Sequence, residues 1–196
     1  RAGSVADARR LLDAAGDTER FAPLVALLTI GDEPPPETPT AVRASLAYLL
    51  SVVAIEAGDE ARADDLLRVA LEIDPAHPLA ANDLGYRMAD RGENLDEAER
   101  LLELAFERRP GDANIADSLG WLRYKRGVLR DETGPDGVVR RGAVELLRQA
   151  VSLEGGAENP VILDHLGDAL WAAGEPEQAR VFWGEAVDMA QRELLQ

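Results

Sequence analysis

Cysteine is absent from the 196-residue sequence, which excludes disulfides, thiolate nucleophiles and cysteine-ligated zinc or iron–sulfur sites. Histidine occurs only as His77 and His165, so a histidine-built centre has little to draw on. Positive charge is scarce: 21 Lys and Arg stand against 37 Asp and Glu, a formal charge of −16. That surface repels phosphate backbones and anionic headgroups, which argues against nucleic-acid or membrane-surface binding. Long apolar runs are missing as well. The longest, at 21–30, is ten residues broken by Pro23, whereas a bilayer-spanning helix needs about 20. Signal-peptide features are not visible after Arg1, and the chain starts without methionine. It therefore reads as a fragment or processed product, with the compartment open between cytoplasm and periplasm. What is present is apolar content: 46% of residues, enough to bury a core and too much for disorder.

The apolar residues repeat. Ala-x3-large apolar-x2-Ala-x4-Pro occurs as Ala63, Leu67, Ala70, Pro75 and again as Ala98, Leu102, Ala105, Pro110. A third copy is Ala143, Leu147, Ala150, with Gly155 in place of proline, and a fourth is Ala179, Trp183, Ala186. A Leu-Gly pair precedes each of the last three copies, at Leu84-Gly85, Leu119-Gly120 and Leu166-Gly167; Leu50-Ser51 holds that place in the first. Alanines seven apart lie on one helical face and let a neighbouring helix approach closely. The glycine after leucine does the same on the preceding helix. Gly58, Gly92, Gly127 and Gly174 end the first helix of each pair, and proline stops the second.

These linked spacings resemble the tetratricopeptide repeat family, whose unit is a helix–turn–helix of about 34 residues. The resemblance covers about residues 41–193. It implies an all-α fold, a right-handed superhelical solenoid of antiparallel helix pairs. Asp117-Ser-Leu-Gly-Trp121 and His165-Leu-Gly-Asp168 are similar to segments of bacterial multi-repeat chains, and the Ala- and Arg-rich usage fits a GC-rich bacterium. On this pattern repeats occupy 41–77, 78–112, 113–159 and 160–196. The second carries an extra residue near Asn94-Leu95, and the third an insertion at 128–142. Gly134-Pro-Asp-Gly137 within that insertion is a turn signal, flanked by Val128-Leu and Val138-Val, which points to a small hairpin. Residues 1–31 read as a helical pair that caps the array or forms a degenerate repeat, and 32–40 as a Pro-rich linker.

Catalytic chemistry finds little support. His77 lies in a Pro-Ala-His-Pro turn and reads as a solvated loop residue. Asp164, His165 and Asp168 share one helical turn, but a metal would need further ligands from elsewhere. No phosphate-binding glycine loop is present. No catalytic residue, metal or cofactor is assigned, and the chain reads as a non-enzyme.

Helical angle points to a binding face instead. Each residue advances about 100° around the axis. Measured from the leucine of each Leu-Gly pair, the side away from the core carries Tyr48 in the first copy, and Asn82 and Tyr86 in the second. In the third it carries Asn114, Asp117, Trp121 and Tyr124, and in the fourth Asp164, Asp168 and Trp171. In arrays resembling this family that side lines a concave groove. Tryptophan and tyrosine on an open face are typical interface anchors. Three aspartates on this face disfavour an acidic ligand. The expected function is a protein-interaction scaffold that binds a neutral or basic peptide or protein segment in the groove. The alternative is a structural module of a larger chain, self-associating through the array ends. The last helix carries more apolar surface than one neighbour covers, which makes Phe182, Trp183 and Met189 the candidates for a homodimer contact.

Overall fold

The structure, a computed structural model, describes residues 40–135 and 137–193. The helical pair expected at 1–31 and most of the 32–40 linker lie outside the described residues. Those described form, in order, α1 (Thr40–Glu56), α2 (Glu60–Ile73), α3 (Pro78–Arg91), α4 (Leu95–Arg108) and α5 (Ala113–Lys125). A hairpin of β1 (Glu132–Thr133) and β2 (Val139–Arg140) follows, then α6 (Ala143–Ser152), α7 (Pro160–Ala172) and α8 (Pro176–Glu193). The chain divides into two compact units, 1–84 and 85–196, with the boundary inside α3. The fold is all-α, of successive helix pairs.

In the first unit α1 packs on α2. Ala63, Leu67 and Ala70, the repeat signature of α2, are fully buried, as are Ala44, Val53 and Ala54 of α1. Ser51, standing where the other copies have glycine, is also fully buried. Its hydroxyl donates to the Tyr48 carbonyl at 2.6 Å, so the extra polar atom is satisfied within its own helix. Asp59 caps α2, its side chain accepting from the Arg62 N–H at 3.1 Å. His77 is a correction to the expectation of a solvated loop residue. It is only 9% exposed. Its Nδ1 accepts from the Ala80 N–H at 3.2 Å, and its ring lies 5.4 Å from that of Tyr48. His77 thus acts as the N-cap of α3, directly ahead of Pro78 at the first helical position.

In the second unit α5 packs on α6 and α7 on α8, while α4 meets α5, α6 meets α7 and α5 meets α7. The Leu-Gly pairs explain the closeness. A Cβ on Gly85 would sit 2.8 Å from Leu102 Cγ, one on Gly120 2.7 Å from Leu147 Cγ, and one on Gly167 2.4 Å from Trp183 Cδ1. All three are below any normal carbon–carbon contact, so alanine there would require Leu102, Leu147 or Trp183 to shift. Leu102 and Leu147 are fully buried, each worth about 1.5–3 kcal/mol of apolar transfer. The turn glycines Gly58, Gly92, Gly127 and Gly174 all have positive φ, between 70° and 83°. Asn94, directly ahead of α4, takes the same left-handed conformation with φ 46°. Arg123 of α5 clasps α4, pairing with Glu99 and, at 2.8 Å, with Glu103.

The 128–142 insertion is ordered by local bonds. The carbonyls of Val128 and Leu129 accept from the Ala143 and Val144 N–H groups at 2.9 and 3.2 Å, satisfying donors at the start of α6. The Asp131 side chain accepts from the Gly142 N–H at 2.9 Å. Arg130 pairs with Glu145 at 3.1 Å and with Glu175.

Candidate functional site

The face singled out by helical angle falls mainly in the second unit, on α5 and α7. There the rings form a row. Trp121 of α5 stacks on Tyr124 with centroids 4.9 Å apart and planes at 20°, because residues three apart share a helix face. Its other neighbour is His165 of α7, at 4.1 Å and 14°. The Tyr86 ring lies 6.5 Å beyond His165. Lys125 places its ammonium 5.2 Å from the Trp121 ring centre, a cation–π contact. The Trp121 indole Nε1 is buried with no hydrogen-bond partner among the described residues.

His165 is held by Asp117. Its Nδ1 lies 3.0 and 3.1 Å from the two carboxylate oxygens, and both side chains are buried. A carboxylate accepts, so Nδ1–H donates. The ring stacked on Trp121 is thereby fixed in orientation. Asp117 and Asn82 are 6% and 8% exposed, so neither presents its polar group to solvent. The Asn82 Nδ2 donates to Asp83 at 3.1 Å. Ala89 is fully buried as well. All three lie about 140–160° from the core leucine. On α5, that flank is covered by the neighbouring first helix, α7.

At α7 the same face is more open. Asp164 is exposed, and Trp171 is 51% exposed. Trp171 sits 5.6 Å from the Trp183 ring of α8, with the Arg180 guanidinium 5.9 Å from its own ring centre. Asp168 accepts from Trp183 Nε1 at 3.2 Å. Partial burial, then the nearby Asp164 charge, raise the Asp168 carboxyl above its ordinary range, against the pull of the indole N–H and His165. Burial likewise raises the Tyr124 phenol, with Asp168 adding to it, and the Tyr86 phenol, with Asp90 and then Asp117 adding. Asn114 is exposed, its side-chain oxygen accepting from Asn159 Nδ2 at 3.3 Å. Tyr48 lies in the first unit, half-buried against His77.

The structure thus brings Tyr86, Asp117, Trp121 and Tyr124 into one cluster, and Asp164, Asp168 and Trp171 into another on α7. His165, which joins them, was assigned no binding role from sequence. The signal available was its place beside Leu166, on the flank turned toward the preceding first helix. Of the candidates on α8, Phe182 and Trp183 pack against the core of Leu147, Leu166 and Leu170, and Met189 is half-buried. The apolar residues most open on that helix are Val181 and Val187, 56% and 54% exposed.

Chemically, the face offers aromatic rings and carboxylates, which suit apolar and cationic groups of a ligand. Among the described residues no group of three or more His, Asp or Glu could hold a metal ion, and no helix is long and apolar enough to cross a membrane.

No family model matches the chain. A TPR repeat-containing protein of Pseudomonas aeruginosa is 37% identical over 87 residues; these are 44% of this chain but span only 15% of that protein's length. Solved structures of MamA share the fold. MamA from Desulfovibrio magneticus RS-1 matches with a TM-score of 0.61 at 18% identity, over 95% of this chain and 96% of that one. MamA of AMB-1 matches at 0.59 and 18% identity, over 94% of this chain and 98% of that one.

Proposed function

We propose that this chain, an array of tetratricopeptide-type helix pairs, is a non-catalytic scaffold that binds a peptide or protein segment on the aromatic and acidic face of α5 and α7. The observation that carries this reading is the half-exposed Trp171 beside Asp164 and Asp168. A large apolar ring left in water next to carboxylates is a ready anchor for a ligand that brings apolar surface and positive charge. Trp171, Asp164, Asp168, Tyr124, Asn114 and the accessible part of Trp121 and Tyr86 are the contact residues. Asp117 acts through His165 and positions the Trp121 ring. Tyr48 and Asn82 belong to the first unit, where Tyr48 offers the accessible ring. A neutral or basic ligand fits better than an acidic one, given the aspartates and the overall charge of −16.

The test is a random peptide library selected on the purified chain, followed by affinity measurements on selected peptides with Trp171→Ala and Trp121→Ala. The reading requires at least a tenfold loss in Trp171→Ala with helicity unchanged. Equal affinity for both variants and the native chain removes it.

A second reading rests on the exposed Val181 and Val187 of α8. Self-association through this helix would bury them, with Met189 at the edge and Phe182 and Trp183 supporting from beneath. Sedimentation equilibrium decides: a dimer that becomes monomeric in Val187→Glu supports it, and a monomeric native chain excludes it.

A further inference from the structure

We infer that the docking face on α7 reads a pattern in its ligand: an extended segment with an arginine at its centre and an apolar residue two places to either side. This rests on the reading of that face as a peptide-docking site and names which peptides it takes.

Three observations carry the inference. The first is a stripe that runs the length of α7. Val161, Asp164, Asp168 and Trp171 follow one another at steps of three, four and three residues, which keeps all four within about 80° around the helix axis. Val161 and Trp171 are 50% and 51% exposed, and Asp164 is exposed between them. The stripe therefore meets solvent with an apolar side chain at each end and carboxylates in the middle.

The second is spacing. From Val161 to Trp171 the helix rises about 15 Å. An extended chain rises about 3.3 Å per residue and turns every second side chain to the same face, so its residues i, i+2 and i+4 span about 13 Å on one side. The outer two of these meet Val161 and Trp171. The central one falls between Asp164 and Asp168.

The third is charge that the chain itself does not balance. Among the described residues no lysine or arginine pairs with Asp164 or Asp168. Lys125 lies over the Trp121 ring, at 5.2 Å. Arg180 lies 5.9 Å from the Trp171 ring centre and is bound to Glu177 at 2.6 Å. Burial and then the Asp164 charge raise the Asp168 carboxyl, and a cation between the two relieves that repulsion. The Trp183 N–H holds Asp168 Oδ1 and leaves Oδ2 for a ligand. A guanidinium suits this gap better than an ammonium, because its planar fork of N–H donors serves two carboxylates at once. On α5 the corresponding positions are Asn114, Asp117, Trp121 and Tyr124, and Asp117 is already given to His165, so the pattern belongs to α7.

The experiment uses three fluorescein-labelled, end-blocked heptapeptides read by anisotropy: Gly-Leu-Ser-Arg-Ser-Leu-Gly, the same peptide with citrulline for arginine, and Gly-Ser-Leu-Arg-Leu-Ser-Gly. Citrulline keeps the shape of arginine without its charge. The third peptide keeps the composition of the first but turns its leucines to the opposite face of the strand. The first should bind the native chain, and the other two about tenfold more weakly. Asp164→Asn should weaken the first about tenfold and leave the citrulline peptide unchanged, and Val161→Ser should weaken the first about fivefold. Equal binding of the arginine and citrulline peptides, each lost in Trp171→Ala, would overturn the inference while the face still docks peptides. Failure of all three to bind, while library-selected peptides still need Trp171, would overturn it in the same way. Binding of the first peptide that survives Trp171→Ala would remove the underlying reading as well. A native chain that dimerises and becomes monomeric in Val161→Ser would instead assign the stripe to a second copy. Circular dichroism of each variant shows whether the helices are intact.

Discussion

Helices α5 and α7 carry the same pattern around Leu119-Gly120 and Leu166-Gly167, yet equivalent positions meet different surroundings. Asp117 and Asp164 both stand two residues before the leucine, about 160° from it. Asp117 is buried and bonded to His165, whereas Asp164 is exposed. The aromatic residues differ in the same sense: Trp121 lies between His165 and Tyr124, and Trp171 is half in solvent. The angle about one helix axis separates core from non-core. It carries nothing on whether the next first helix covers the flank. At Asp117 the cover of α7 thus turns an outward polar residue into an interhelical bond, whereas Asp164, at the equivalent position, stays exposed.

The sharpest way to break this comparison is to remove each aspartate. Asp117→Ala leaves a buried imidazole without its partner and should lower stability by about 2–3 kcal/mol, whereas Asp164→Ala should change it by less than about 0.5 kcal/mol. Urea midpoints measured on both variants decide, and equal losses would abolish the distinction. Next come the indoles. Trp121→Ala should lose about 2 kcal/mol, less than a fully buried tryptophan because the ring is half-covered, and Trp171→Ala under about 1 kcal/mol.

His77 extends the comparison to the first unit, where a buried histidine accepts from a helix N-terminus rather than donating to a carboxylate. His77→Ala should cost about 1 kcal/mol, and His77→Asn, which supplies another capping oxygen, should recover most of it. Thermal melts of the two variants are the check.

The smallest effect concerns Asp168. Its carboxyl holds a proton more tightly folded than unfolded, so its ionisation weakens the fold as pH rises through the raised value. Asp168→Asn removes that ionisation and keeps an oxygen for the Trp183 N–H. The variant should melt higher than the native chain at neutral pH, and the gap should close below about 3.8, where the carboxyl is protonated in both states. A constant gap across that range would assign the effect to packing.

Much of the fold was legible because close helix packing demands small residues at fixed spacing. Ala63, Ala70, Ala98 and Ala105 are all fully buried, and the three Leu-Gly notches meet Leu102, Leu147 and Trp183 at distances no Cβ would tolerate. The hairpin was legible from Gly134-Pro-Asp-Gly137, since that turn chemistry is local. What the hairpin packs beside was not, because Phe106 lies on α4, with the whole of α5 between it and the hairpin in sequence. His77 was misjudged for a similar reason: a histidine between prolines reads as loop, although the position just before a proline that opens a helix is also where a cap belongs. The Asp117–His165 pair spans 48 residues and two repeats, and no spacing rule within one repeat reaches it.

The proposal that the open face of α5 and α7 is where a ligand docks is tested most directly by the three tryptophan indole N–H resonances in a ¹⁵N-labelled chain titrated with a selected peptide. Trp171 should shift furthest and Trp121 next, with Trp183 moving least because its N–H is already given to Asp168. A peptide that binds tightly while the Trp171 and Trp121 signals stay where they were would contradict it.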